Sequence, residues 1–129
     1  RQLARDVSVV GAGMSGFGMF AEKDSKDLFL EAFADLRRSV DSELDPTDIE
    51  ALYFGNFTND FFVHQSHWGA VLSDALGLVP KPATRVEGAC ASSGLAFREA
   101  CFAIAESHRQ NGAWVDLPLT DRDLYIHHV

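Results

Sequence analysis

The stretch VEGACASSGLAFREA, residues 86–100, brings a short strand directly into a helix, with a cysteine at the junction. The pattern predicts a strand over residues 83–89 and a helix over residues 91–105, so that Cys90 lies at the helix N-terminus. Helix N-termini carry free N–H groups and roughly half a positive charge, and both favour the thiolate form of a cysteine. Cys90 is therefore a candidate nucleophile. The alternative is an inert, buried cysteine in a tight turn between strand and helix.

Small residues surround Cys90 in the sequence and would leave room for a substrate carbonyl beside the sulfur. The candidate pocket-shaping residues are Gly88, Ala89, Ala91, Ser92, Ser93 and Gly94. The second cysteine, Cys101, lies within the predicted helix, where a buried thiol is unreactive. This helix is apolar on nearly every side, which predicts that it is buried all round.

Strands and helices alternate along the rest of the chain. The predicted order is β-α-β-α-β-α, with strands over 7–12, 49–54 and 83–89 and helices starting at Asp24 or Ser25, at about His64 and at Ala91. A capped turn is expected over 41–48 and a polar, aromatic loop over 56–63. This alternation predicts an α/β fold with a mostly parallel sheet and right-handed crossovers.

A second glycine pattern stands near the start of the chain, in VVGAGMSGFG, residues 9–18. Gly11, Gly13 and Gly16 fit the G-x-G-x-x-G turn of dinucleotide-binding proteins. In such a turn the helix begins within the motif, whereas helical periodicity here starts only at about Ser25. We therefore favour a glycine-rich junction, where close backbone approach excludes side chains, over an NAD-dependent oxidoreductase.

Composition narrows the class of protein. The chain has 129 residues, a length typical of a single domain. Its formal net charge of −8 argues against a nucleic-acid partner. Two cysteines are too few for a disulfide scaffold and indicate reduced thiols and a cytoplasmic location. No apolar run is long enough to predict a membrane span.

The histidines offer one motif, H-x-x-H at His64 and His67. A zinc site needs further ligands that the sequence does not place, so we favour hydrogen-bonding histidines and predict no metal. His108 lies at the end of the last predicted helix, where a cation is favoured. His127 and His128 are expected to be solvated.

Three stretches together resemble the start of a thiolase: VVGAGMSGFG, ALYFGNF and VEGACASSGLAFREA, in this order. The resemblance is nearest to thiolases of the sterol-carrier and lipid-transfer type and covers residues 7 to about 105. It implies an incomplete N-terminal half of the layered α-β-α-β-α thiolase fold over residues 1–105. Residues 106–129 depart from the family pattern and are interpreted as a divergent tail, from a truncated or frame-shifted end.

The resemblance also implies an activity, acyl transfer from an acyl-CoA thioester through an acylated Cys90, with no cofactor besides the coenzyme A of the substrate. It implies that His67, in NDFFVHQSH, helps to shape the site, and that the chain forms a homodimer or pairs with a thiolase-like partner. The family's histidine and second-cysteine motifs, which supply the general bases, do not occur in this sequence. A non-catalytic, lipid-handling partner chain and a CoA-thioester aldolase component are therefore the alternatives.

Overall fold

A computed structural model describes residues 7–41 and 44–111 and has an α/β architecture in this part of the chain. Its elements are α1 (Ser25–Ser39), a 3-10 turn (Pro46–Asp48), β1 (Leu52–Gly55), α2 (Asn59–Phe62), α3 (Trp68–Ala75), β2 (Ala83–Val86), a second 3-10 turn (Ala89–Ala91) and α4 (Ser92–Arg109). The predicted α/β class is confirmed, as is the alternation of helices and strands from Ser25 onward.

Helix α1 begins where its capping residues predict. The Asp24 carboxylate accepts a hydrogen bond from the Asp27 N–H at 2.9 Å, and the Asp27 carboxylate accepts one from the Asp24 N–H at 2.9 Å. This reciprocal capping box satisfies two N–H groups at the helix start. Arg37 and Arg38 in the last turn complement the negative end of the helix dipole.

The sheet of the described residues consists of β1 and β2, which pair in parallel with Leu52 opposite Ala83 and Gly55 opposite Val86. Successive residues of a strand point to opposite faces. The Phe54 side chain packs with Trp68 and Leu72 of α3 on one face. The next residue, Gly55, lies against the start of α4 on the other. The sheet is therefore sandwiched between α3 and α4.

The strand predicted over residues 7–12 is wrong. These residues form no strand, and the Val9 and Val10 side chains are 67% and 71% exposed. The segment runs along α1 instead: the Ala12 N–H donates to Ser39 Oγ at 2.9 Å and the Met14 N–H to Asp35 Oδ2 at 3.0 Å. Its backbone hydrogen-bonds to helix side chains rather than to a neighbouring strand. We call residues 7–18 the N-terminal arm.

The prediction that the last helix is buried all round is also wrong. Helix α4 buries one side, at Ser92, Ala96 and Glu106, whereas Phe97 and Ile104 are 58% and 54% exposed. The reason is that the two-stranded sheet covers one face of the helix and no other described element covers the opposite face. The helix runs through residue 105 to Arg109, so the predicted domain boundary falls within it.

Smaller departures concern the middle of the chain. Helix α3 begins at Trp68, four residues after the predicted start, and the predicted loop over 56–63 contains the single turn α2. The strand considered for residues 113–119, and His127 and His128, lie outside the described residues. None of the helices in the described ranges has the length and apolarity required to cross a bilayer.

Candidate functional site

The structure places Cys90 at the predicted junction of strand and helix. Strand β2 ends at Val86, and two residues later the chain enters the 3-10 turn Ala89–Ala91, which leads directly into α4. Cys90 is the middle residue of this turn and is exposed and free of any disulfide. The alternative of a buried cysteine therefore does not hold. A soluble ligand can reach the sulfur at the positive end of α4.

The turn around Cys90 is fixed by the Ser92 side chain, which is only 4% exposed. Its hydroxyl accepts a hydrogen bond from the Gly88 N–H at 3.0 Å and donates one to the Ala89 carbonyl at 2.7 Å. The Ala91 N–H donates to the Gly88 carbonyl at 2.9 Å. One buried hydroxyl thus ties together the residues on both sides of the cysteine.

Ala89, immediately before Cys90, has a backbone φ of +49°. This left-handed conformation is disfavoured for a residue with a Cβ and costs on the order of 1–3 kcal/mol. It is held by the hydrogen bond from Ser92 to the Ala89 carbonyl. Strain of this kind is concentrated at functional sites, which is consistent with a functional role for the turn.

Two glycines allow the strands to approach the start of α4. A Cβ on Gly55, at the end of β1, would lie 2.3 Å from the backbone of Ser92 and Ser93, and a Cβ on Gly88 would lie 2.2 Å from Leu95 Cδ1. No local sequence pattern signals the role of Gly55, which directly follows the strand predicted over residues 49–54. Gly94, by contrast, has no atom near the position of a Cβ and is not needed for packing.

An ion pair joins strand β2 to helix α2, the single turn that follows β1. Arg85 on β2 donates from Nη1 to both Asp60 carboxylate oxygens, at 2.7 and 2.8 Å, and from Nε to the Asn56 carbonyl at 2.9 Å. The pair fixes the segment after β1 next to the strand that leads to Cys90. Asp60 and Arg85 lie 25 residues apart, and no sequence pattern connects them.

His67 borders a hollow that the residues around Cys90 do not line. His67 is the N-cap residue of α3, without a side-chain capping bond, and borders a hollow of about 470 Å³ that Lys81 and Arg85 also line. None of residues 88–94 lines this hollow. Among the described residues, no group of three or more potential metal ligands occurs. The proposed shaping role of His67 remains a prediction.

Cys101 is distant from Cys90 although both precede the end of α4. Its thiol is half-buried within the helix rather than fully buried as predicted. Eleven residues separate the two cysteines, roughly 16 Å along a helix axis. Cys101 therefore makes no contact with the turn and serves as an internal reference thiol.

Two curated proteins are similar to this chain. One, from Methanothermobacter thermautotrophicus, is 38% identical over 104 residues, which cover 81% of this chain and 27% of the relative. The other, from Methanocaldococcus jannaschii, is 38% identical over 102 residues, which cover 78% of this chain and 25% of the relative. No family model matches the chain.

These similarities confirm the resemblance on which the sequence analysis depended, and the chain belongs to the thiolase family. In particular, both relatives are named acetyl-CoA acetyltransferase, and the chain is homologous to them over about four fifths of its own length. It spans about a quarter of the length of these relatives.

Proposed function

We propose that this chain carries the nucleophile of a thiolase-like acyltransferase and that Cys90 accepts the acyl group of an acyl-CoA thioester. The observation that carries the proposal is the exposed Cys90 in the turn that opens into α4. The substrate class is supported by the relatives' name, acetyl-CoA acetyltransferase.

The proposed first step is a thioester exchange. The Cys90 thiolate attacks the carbonyl carbon of the thioester and forms a new sulfur–carbon bond. The bond from that carbon to the coenzyme A sulfur breaks, and coenzyme A leaves as a thiolate that takes up a proton. The positive end of α4 stabilises the attacking anion, and the small residues around Cys90 leave the approach open.

Transfer of the acyl group to a second substrate needs a general base. Within residues 7–41 and 44–111, no side chain forms a hydrogen bond with the Cys90 sulfur. This observation favours a second candidate function, a non-catalytic thiolase-like chain that binds a thioester or a partner without turnover. A CoA-thioester aldolase component, which would cleave a carbon–carbon bond, is a further alternative.

Incubation with acetyl-CoA separates the two candidate functions. If the first is correct, mass spectrometry finds an acetyl group on the peptide containing Cys90, together with one released coenzyme A per acetylated chain. Cys90→Ser should abolish both signals, and Cys101→Ser should leave them unchanged. Saturable binding of acetyl-CoA without acetylation would overturn the acyltransferase proposal and support the non-catalytic one.

We further propose three properties that the resemblance to thiolases implies. They are the layered thiolase order of helices and sheets, a cytoplasmic location, and a homodimer or a pairing with another thiolase-like chain. The assembly is supported by the large apolar side chains that the described part of the chain exposes, among them Phe57, Phe61, Phe62 and Phe97. Exposed apolar surface of this kind marks interaction sites.

A further inference from the structure

Asn56, the first residue after β1, bonds to β2 through both its N–H group and its carbonyl oxygen. The N–H donates to the Val86 carbonyl at 3.2 Å, and the carbonyl accepts a hydrogen bond from Arg85 Nε at 2.9 Å. The first bond continues the parallel pairing of β1 with β2, whereas the second comes from a side chain. Arg85 therefore extends the fixed part of the chain beyond the end of β1.

Asp60 fixes the direction of the Arg85 guanidinium, because both of its carboxylate oxygens accept hydrogen bonds from Arg85 Nη1, at 2.7 and 2.8 Å. Asp60 is itself placed by helix α2, where the Asn59 N–H donates to Asn56 Oδ1 at 3.0 Å. We call Arg85, Asp60, Asn56 and Asn59 the Arg85 network. An arginine suits this network because its donors are rigidly spaced, whereas a lysine ammonium is a point charge.

The Arg85 network is better shielded from water than an ordinary surface ion pair. The Arg85 side chain is 22% exposed, against 69% for Arg38, which pairs with Asp35 on α1. Water screens exposed ion pairs and leaves them little ability to hold the backbone in place. We therefore expect the Arg85 network to constrain the chain more than the Arg38 pair does.

The end of β1 that this network fixes supports the first turn of α4. At Gly55, directly before Asn56, a Cβ would lie 2.3 Å from the backbone of Ser92 and Ser93. Cys90 lies between the end of β2 and this first turn. A shift of Asn56 therefore moves the backbone against which α4 starts, and it changes the place of the thiol relative to the free N–H groups of the helix.

We propose that Arg85 is a positioning residue for the Cys90 thiol: it fixes the end of β1 against which α4 starts, and Asp60 orients its guanidinium. Arg85 acts through Asn56 and Gly55 rather than by contact with the thiol. The inference rests on the proposed nucleophile, and it adds two residues outside the Cys90 turn on which the reactivity of that nucleophile depends.

Labelling with iodoacetamide at neutral pH, read by mass spectrometry of each cysteine peptide, tests the inference. Arg85→Met keeps an apolar stem and removes the bonds to Asn56 and Asp60. The labelling rate of Cys90 should fall by about threefold, the size of a helix dipole's effect on a neighbouring anion. The rate of Cys101 should be unchanged. Since Cys90 is already exposed, easier access does not raise its rate in the variant.

A merely structural role of Arg85 predicts a different pattern. A loss of stability opens the chain locally and raises the labelling rate of the half-buried Cys101. A faster Cys101 with an unchanged Cys90 would therefore overturn the inference. Arg38→Met is the matched control, because it makes the same substitution in an exposed ion pair of α1, and it should alter neither rate.

Two milder variants show whether the shape of the arginine matters. Arg85→Lys keeps the positive charge and loses the rigid fork, and Asp60→Asn keeps the bond from Arg85 to Asn56. We expect the loss in the Cys90 rate to decrease in the order Arg85→Met, Arg85→Lys, Asp60→Asn. A full Cys90 rate in Arg85→Lys would show that charge alone is needed and would overturn positioning through Asn56.

Acetyl-CoA separates this inference from the proposed function. If the unmodified chain is acetylated at Cys90 and Arg85→Met is labelled by iodoacetamide at the full rate, the positioning role alone is overturned. If Arg85→Met slows the labelling of Cys90 and the unmodified chain is not acetylated, the positioning role is supported and the proposed acyl transfer is overturned.

Discussion

Two junctions of this chain contain glycines and look alike in sequence, but their glycines pack against different parts of a helix. In the arm, Gly13 brings the backbone against the side of α1, where a Cβ would lie 2.2 Å from the Ala32 carbonyl oxygen and the Leu36 nitrogen. At the other junction, Gly55 and Gly88 bring the strand ends against the first turn of α4. Both sets of glycines permit close packing of backbone on a helix.

The difference lies in the part of the helix that is approached. The middle of α1 offers the arm only backbone atoms already used within the helix, and a side-chain carboxylate, Asp35, accepts the Met14 N–H. The first turn of α4 has N–H groups without intrahelical partners and a positive dipole, which stabilise anions. A glycine pattern therefore indicates a site that stabilises an anion only when it leads into the start of a helix.

The largest expected effect comes from filling the space at Gly55. Gly55→Ala places a methyl group 2.3 Å from the backbone of Ser92 and Ser93, which cannot rotate away. We expect the free energy of unfolding to fall by about 3 kcal/mol, as in overpacked cores. Chemical denaturation measures the loss.

Gly94→Ala is the matched control, on the helix that Gly55 approaches, because the added methyl group meets no atom within 4 Å. Alanine is the better helix former by roughly 1 kcal/mol, so the control should be neutral or stabilising. Equal losses for the two variants would contradict the close approach of β1 to α4.

A smaller effect is expected at Ser92. Ser92→Ala removes the hydroxyl that bonds both Gly88 and Ala89, so the Gly88 N–H loses this acceptor, whereas the Ala89 carbonyl keeps its bond from the Ser92 N–H. We expect a loss of about 2 kcal/mol in the free energy of unfolding. We also expect slower iodoacetamide labelling of Cys90 relative to Cys101, because the turn that holds the thiol at the helix start is loosened.

Ser93→Ala is the control for Ser92→Ala, since Ser93 is exposed and forms no hydrogen bond to the turn. It should alter neither stability nor the ratio of labelling rates. If Cys90 in the unmodified chain were labelled no faster than Cys101, the helix N-terminus would not activate it and the proposed nucleophile would fail.

We expect glycine substitutions in the arm to lower the free energy of unfolding less than substitutions at the junction before α4. Gly13→Ala pushes the arm off α1, but an exposed segment can move away, so we expect a loss of only about 1 kcal/mol. Hydrogen exchange should show reduced protection of the Ala12 and Met14 amides. Gly16→Ala, where the nearest atom lies at 3.5 Å, should leave both amides protected.

Sequence reasoning worked where the signal was local. The Asp24 cap, the start of α1 and the entry of Cys90 into α4 each depend on residues within about one or two helical turns, and each was confirmed. Gly11 and Gly13 also matched the expectation of close backbone approach rather than a phosphate-binding turn, since they lie against α1.

Sequence reasoning failed where the outcome depends on distant partners. An apolar run such as 7–12 becomes a strand only when a neighbouring strand accepts its backbone bonds, and the arm bonds to Ser39 and Asp35 instead. An apolar helix is buried all round only when elements cover both faces, and the described part of the chain covers one face of α4. The Asp60–Arg85 pair has no local signal.

The smallest expected effect is that low pH weakens the attachment of the arm to α1. The Met14 N–H, together with Arg38, holds the pKa of the Asp35 carboxyl below its ordinary value of 3.8. A lowered pKa in the folded chain means that the bond is stabilising above the unfolded pKa and is lost as the pH falls through the folded pKa. The arm should thus remain attached at neutral and mildly acidic pH.

The Met14 amide chemical shift in an NMR titration should change with a midpoint below 3.8. Asp35→Asn should remove that transition, and a midpoint at or above 3.8 would show that the carboxylate does not hold the arm.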